Sequence, residues 1–135
     1  MEQKSYQKIL RILPYAILVM FAVFVLLCCR MIVTDGSSME PTYMAGDRVI
    51  CVRTFSAPDV GDAILLKKDG VLMVKRVVAV AGDDASPYSY WGDTIVPDGY
   101  IFVAGDNADK SYDSRNEKFG LVPVGDVWGK VWFSF

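Results

Sequence analysis

The chain has 135 residues with 14 Lys+Arg, 16 Asp+Glu and no histidine, enough for one modest domain beside one membrane segment. Beyond residue 33 the balance is 10 Lys+Arg to 15 Asp+Glu, a net of −5, so no basic stripe invites nucleic acid as a partner. Without imidazole, and with Cys51 the only cysteine past that point, neither a zinc site nor an intramolecular disulfide is expected there.

Residues 12–29 form the longest run without a charge. As a helix its eighteen residues would span roughly 27 Å, close to the hydrocarbon thickness of a bilayer. Pro14 falls in the first turn, where its missing N–H costs little, and Arg30 can snorkel to the interface. The segment reads as a retained anchor over residues 12–33 rather than a cleaved secretory signal. Its apolar run is too long for a signal core, and Cys28-Cys29-Arg30-Met31-Ile32 has no small-x-small cleavage site. Lys4, Lys8 and Arg11 place residues 1–11 in the cytoplasm and residues 34–135 on the outer side.

All the glycines come after the anchor, and six precede aspartate: Gly46-Asp47, Gly61-Asp62, Gly82-Asp83, Gly92-Asp93, Gly105-Asp106 and Gly125-Asp126. Glycine accepts positive φ and aspartate bonds neighbouring backbone, so these pairs read as turns. Between them lie short, β-branched-rich runs at 48–53, 63–67, 71–80, 100–104 and 127–133. The expected fold is mainly β, a short-stranded antiparallel domain preceded by one transmembrane helix. Lys68-Asp69-Gly70-Val71 predicts a tight hairpin. In the strand that follows, alternation puts Val71, Met73, Lys75, Val77 and Ala79 on one face. Residues 83–99 read as a loop or small hairpin excursion.

Three segments carry groups suited to chemistry. Gly36-Ser37-Ser38-Met39 pairs a flexible position with small neighbours, so Ser38 can present its hydroxyl and its own N–H. A bland post-membrane linker would look the same. With no histidine, a base for such a serine must be another group, and lysine leads. Lys75 sits between Met73 and Val77 on its face, and desolvation there would lower an amine whose ordinary pKa is about 10.4. Its alternative role is that of a charge guarding a sheet edge. The third segment, Gly105-Asp106-Asn107 through Ser111-Tyr112-Asp113-Ser114-Arg115, is a polar loop able to orient a base, or simply a surface loop.

Taken together, Ser38-Met39-Glu40-Pro41-Thr42, Lys75-Arg76-Val77 with Gly82-Asp83, and Gly105-Asp106-Asn107 with Ser111-Tyr112-Asp113-Ser114-Arg115 resemble the successive sequence boxes of bacterial type I signal peptidases. Their order and their position after an N-terminal anchor agree as well. The resemblance implies a membrane-bound serine endopeptidase with a Ser–Lys dyad and no cofactor or metal. Ser38 would be the nucleophile and Lys75 the general base, with Ser111 orienting the lysine. Asp113 with Arg115, and Arg76 with Asp106, would be ion pairs beside the site. The Ser38 N–H would donate to the oxyanion, and Gly36 stands where some members carry a second donor hydroxyl.

The implied partners are preprotein signal peptides ending in Ala-x-Ala, the lipid bilayer and the secretion translocon, at the plasma membrane with a single pass. Met39, Val49 and Val52 are candidate pocket walls. Trp91, Trp128 and Trp132 are candidates for the headgroup level, with core packing the alternative role. Two rivals are self-cleaving Ser–Lys repressors of the SOS response, which are soluble, and a non-catalytic assembly factor on a degenerate peptidase scaffold, which would lack the nucleophile or base.

Overall fold

The computed structural model describes residues 2–53 and 56–135 and divides into two compact units, residues 1–30 and 31–135. In the first, helix α1 (Glu2–Cys28) contains a span, Tyr6–Cys28, long and apolar enough to cross a membrane. Its large apolar side chains from Tyr6 to Leu27 are exposed, the pattern of a helix whose favourable surroundings are hydrocarbon. The helix stops at Cys28, and Cys29–Val33, which the sequence reading put inside the anchor, is extended as strand β1.

The second unit is a seven-stranded sheet of order β1-β2-β7-β3-β4-β5-β6. Its strands are β2 (Arg48–Arg53), β3 (Ala63–Lys68), β4 (Val71–Val80), β5 (Tyr100–Ala104), β6 (Val122–Pro123) and β7 (Val127–Ser134). The pairings β2–β7, β3–β7, β3–β4, β4–β5 and β5–β6 are all antiparallel. The five predicted runs are therefore strands, two of them one residue longer than read. Strands β1 and β6 were not foreseen.

The hairpin between β3 and β4 is closed by Asp69 (φ 50°) and Gly70 (φ 82°), with Lys68 opposite Val71. Two consecutive positive φ values make a two-residue turn whose twist matches that of the strands. Three Gly-Asp pairs share a second device. In Met44–Asp47, Asp59–Asp62 and Val80–Asp83 the aspartate N–H donates to the carbonyl three residues back. Its carboxylate in turn accepts that residue's N–H, at 2.8, 2.8 and 2.9 Å. The intervening glycines have φ near 90°, which an L side chain resists.

Strand β4 does not keep one face along its length. Its pairing with β5 shifts between Val77 and Ala79, so Val78 is an extra residue, a β-bulge. Val77 packs with Ile64, Leu66, Ile101 and Val103, and Val80 lies against the same cluster. Ala79 instead joins Ala85, Val96 and Phe102. The expected shared face of Val77 and Ala79 is thus broken by the bulge. Met73, Lys75 and Val77 precede it and keep the expected face.

Only the second half of β4, from Arg76 on, is paired with β5. Among the described strands, Val71–Val74 have β3 on one side and no strand on the other. That open edge matters for the site.

Candidate functional site

Lys75 is 4% exposed, among the most buried polar side chains of the sheet unit. Its Nζ donates to Ser111 Oγ at 2.8 Å. Burial holds its pKa below the usual lysine value. Asp113 pulls it back up and Arg115 pushes it further down. The nearby carboxylate does not rescue the ammonium, because its charge is committed elsewhere.

That carboxylate belongs to Asp113, which is 1% exposed. Arg115 clamps it from Nε at 2.8 Å and Nη2 at 2.5 Å. The N–H of Gly105 donates to it at 2.8 Å, the N–H of Arg115 at 3.2 Å, and Ser111 Oγ donates to it as well. Burial alone would raise its pKa. The bonds from Arg115, Ser111 and Gly105 outweigh that and keep it low, so Asp113 stays ionised.

An ionised carboxylate only accepts. The Ser111 proton must therefore point at Asp113, which leaves the Ser111 oxygen to accept from Lys75. An uncharged Lys75 amine has two N–H groups and one lone pair. With one N–H aimed at Ser111, the lone pair is confined to the remaining directions. The relay Arg115–Asp113–Ser111–Lys75 thus fixes which way a neutral amine faces.

Ser38 reaches this relay through Gly105. Its carbonyl accepts the N–H of Asn107 at 3.0 Å. A methyl group added at Gly105 would lie 2.4 Å from that carbonyl oxygen and 2.2 Å from Ser111 Oγ. The Ser38 main chain and the Ser111 side chain thus both press on one Cα with no space for a side chain. Gly105 lacks the positive φ of the turn glycines; close approach is its reason.

Arg76 and Asp106 form the other expected pair, with both contacts at 2.7 Å. Arg76 also bonds the Gly61 carbonyl at 2.8 Å. Thr42, four residues past Ser38, donates to Asp106. The pair therefore ties the Ser38 segment to β4. The roles of Gly105, Asn107 and Thr42 were missed from sequence, although all three stand inside the boxes quoted above. Short polar residues in a loop give no sign of which backbone they meet.

A cleft of about 290 Å³ opens beside Ser38. One wall is residues 32–36, including Gly36 (φ 90°), and the other is Val71–Val74, the open edge of β4. Met39 and Tyr43 complete it. Met39 thus lies on the cleft, whereas Val49 is fully buried in the core cluster with Met39 and half-buried Val52 pairs with Lys130. Of the tryptophans, Trp128 packs on that cluster, Trp91 donates to a backbone carbonyl, and Trp132 is 78% exposed.

Fold and site together describe a mainly-β protein that buries an amine–hydroxyl–carboxylate relay beside an open sheet edge. The family described as "Signal peptidase, peptidase S26" matches residues 6–87 and 84–135, and the chain belongs to it. It is 30% identical to Signal peptidase I S of Bacillus subtilis, across all of this chain and 95% of that protein. It is 35% identical to mitochondrial inner membrane protease subunit 1 of Xenopus tropicalis, over 76% of this chain and 66% of that one. With the probable thylakoidal processing peptidase 2 of Arabidopsis thaliana it shares 31% identity, over 74% of this chain and 36% of the relative. The chain therefore spans about a third of the plant relative's length and about two thirds of the mitochondrial one's.

Proposed function

We propose that this protein is a membrane-anchored serine endopeptidase that removes signal peptides from exported preproteins. Ser38 is the nucleophile and Lys75 the general base. The observation that carries the reading is the buried Lys75 amine, hydrogen-bonded to a Ser111 whose proton is already committed to Asp113.

In the proposed reaction the neutral Lys75 amine takes the Ser38 proton as Oγ attacks the scissile carbonyl. The negative charge moves to the carbonyl oxygen, where the Ser38 N–H, with a second donor at Gly36, stabilises it. As the tetrahedral intermediate collapses, the C–N bond breaks and the Lys75 ammonium gives its proton to the leaving amine. A water then attacks the acyl-enzyme ester and passes a proton to Lys75. That proton returns to Ser38 Oγ as the new carboxyl terminus departs. Ser111 keeps the base aligned through both halves. Asp113 and Arg115 hold Ser111, and Arg76 with Asp106 braces the Ser38 segment.

The cleft fits an extended peptide. Strand addition at Val71–Val74 would satisfy the open edge and send alternate side chains into the cleft. A shallow wall that includes Met39 suits the small residues of an Ala-x-Ala site. The family membership and the likeness to Signal peptidase I S of Bacillus subtilis support the same substrate class. The Lys4, Lys8 and Arg11 flank supports a cytoplasmic N-terminus, with the sheet unit on the outer face of the plasma membrane.

The test uses the full chain in detergent and a preprotein whose signal peptide ends in Ala-x-Ala. Ser38→Ala and Lys75→Ala each abolish cleavage while the thermal melt survives, and wild-type cleavage rises on the alkaline side of neutral as the amine loses its proton. Retained cleavage in either variant would remove the dyad. A profile flat from acid to alkaline pH would remove lysine as the base.

A further inference from the structure

The segment after β4, residues 83–99, is more than an excursion. Asp84 bridges Ile95, and Ala85 donates to the Thr94 carbonyl at 2.8 Å. Ala85 and Val96 are buried against Ala79 and Phe102, so the base of the segment is part of the core. Its far end is stiffened by buried Thr94, which bonds Ser86 Oγ at 2.8 Å and the Gly92 carbonyl at 2.9 Å. From this support two bonds reach the loop that carries Asp113. Trp91 Nε1 donates to the Ser114 carbonyl at 3.0 Å, and the Tyr90 N–H donates to the Arg115 carbonyl at 3.2 Å.

The atoms they hold decide what these bonds do. The Ser114 carbonyl and the Arg115 N–H belong to one rigid peptide plane. Trp91 takes the oxygen end, and the N–H end points at Asp113 Oδ1 at 3.2 Å. Tyr90 fixes the next plane at its oxygen. Arg115 is thus gripped by both of its peptide planes, with its guanidinium laid across Asp113. Ser114 is anchored separately to β5, donating to the Val103 carbonyl at 3.0 Å and accepting its N–H at 3.1 Å. Trp91 therefore sets the tilt of the plane rather than the position of the loop.

We infer that Trp91 is a positioning residue for the proposed peptidase reaction, acting through the Ser114–Arg115 peptide plane on Arg115, Asp113 and Ser111 to aim the Lys75 amine. The inference rests on the reading of Lys75 as the base. Bulk alone does not serve this role; the indole N–H does. The charged groups acting on Lys75 are Asp113 and Arg115. Releasing the plane loosens Arg115 from Asp113, and that loosening weakens the depressing effect of Arg115, frees Asp113 to favour the ammonium and admits water. All three changes raise the pKa of the amine.

The experiment compares wild type with Trp91→Phe, full chain in detergent, on a preprotein ending its signal peptide in Ala-x-Ala. Should Trp91→Phe fail to fold, benzothienylalanine at position 91 keeps the bicyclic bulk and replaces only the N–H by sulfur. The expected result is a fall in kcat of about five- to tenfold, the size of one neutral hydrogen bond, with KM unchanged. The rising limb of the pH–rate profile shifts to higher pH, and the thermal melt stays close to wild type. An unchanged profile overturns the inference, as does a lowered melt with the limb unmoved, which marks a purely structural residue. Ser38→Ala and Lys75→Ala run alongside. If they are inactive while Trp91→Phe matches wild type, only the inference falls; if they are active, the reading beneath it falls.

Discussion

At the scale of single residues the site turns on where one charge is not allowed. Lys75 is buried at 4% exposure, and its Nζ donates to a hydroxyl, Ser111 Oγ. Asp113 is taken up by Arg115. Keeping an ammonium there is costly to the fold, which gives a testable link between function and stability. The folded-state pKa of Lys75 is lowered, so between that value and the unfolded one, about 10.4, the unfolded chain binds the extra proton. Stability then rises with pH through the window, and the burden is gone above it. Lys75→Met, which fills the space without the charge, is therefore expected to melt higher than wild type near neutral pH. Its advantage should shrink as pH climbs toward 10.4. Thermal unfolding across pH 6–10.5 measures this directly. A variant less stable than wild type at neutral pH, or one whose advantage grows with pH, contradicts the account.

At the scale of elements, glycine serves two purposes that stability and activity separate. Gly82 has φ +90° and open space where a Cβ would sit, so Gly82→Ala meets only backbone strain. The expected cost is about 1 kcal/mol, read as a lower melting temperature with cleavage per folded molecule unchanged. A loss of activity beyond the folded fraction would mean that the Val80–Asp83 turn reaches the site. The turns and five strands were legible in the sequence because they rest on local chemistry: Asp-Gly at 69–70, the Gly-Asp pairs and β-branched runs between them. Strand β1 was not, since a five-residue apolar stretch continuous with a longer one has no period of its own. The bulge at Val78 was equally hidden, because Val77, Val78, Ala79 and Val80 are all apolar and either face accepts them. The site divides in the same way. Ser38, Lys75, Ser111, Asp113 and Arg115 could be proposed from their boxes, whereas the contacts of Gly105 and Trp91 are with backbone atoms distant in sequence.

At the scale of the whole chain, the apolar helix and the sheet unit pose a question of encounter rather than chemistry. The cleft beside Ser38 is small, about 290 Å³, so a proposed substrate with alanine-sized anchors would bury little apolar area in it and gain only weak binding from contact. Strand β7, next to β2 and one strand from β1, carries exposed Trp132 and Phe133. If α1 holds the enzyme in the bilayer that also holds the signal peptide, the search is confined to a surface, and tethering alone can raise effective affinity by about 10²–10⁴. The prediction is a separation between two substrates with the same cut site. Cleavage of a preprotein should slow as micelles are added at constant enzyme, because enzyme and substrate are spread over more particles. Cleavage of a soluble peptide lacking the hydrophobic segment should be slower at the outset and indifferent to micelle number. Initial rates at rising detergent concentration distinguish the two. Equal sensitivity for both substrates would mean that the helix contributes nothing to capture and that the cleft alone selects what is cut.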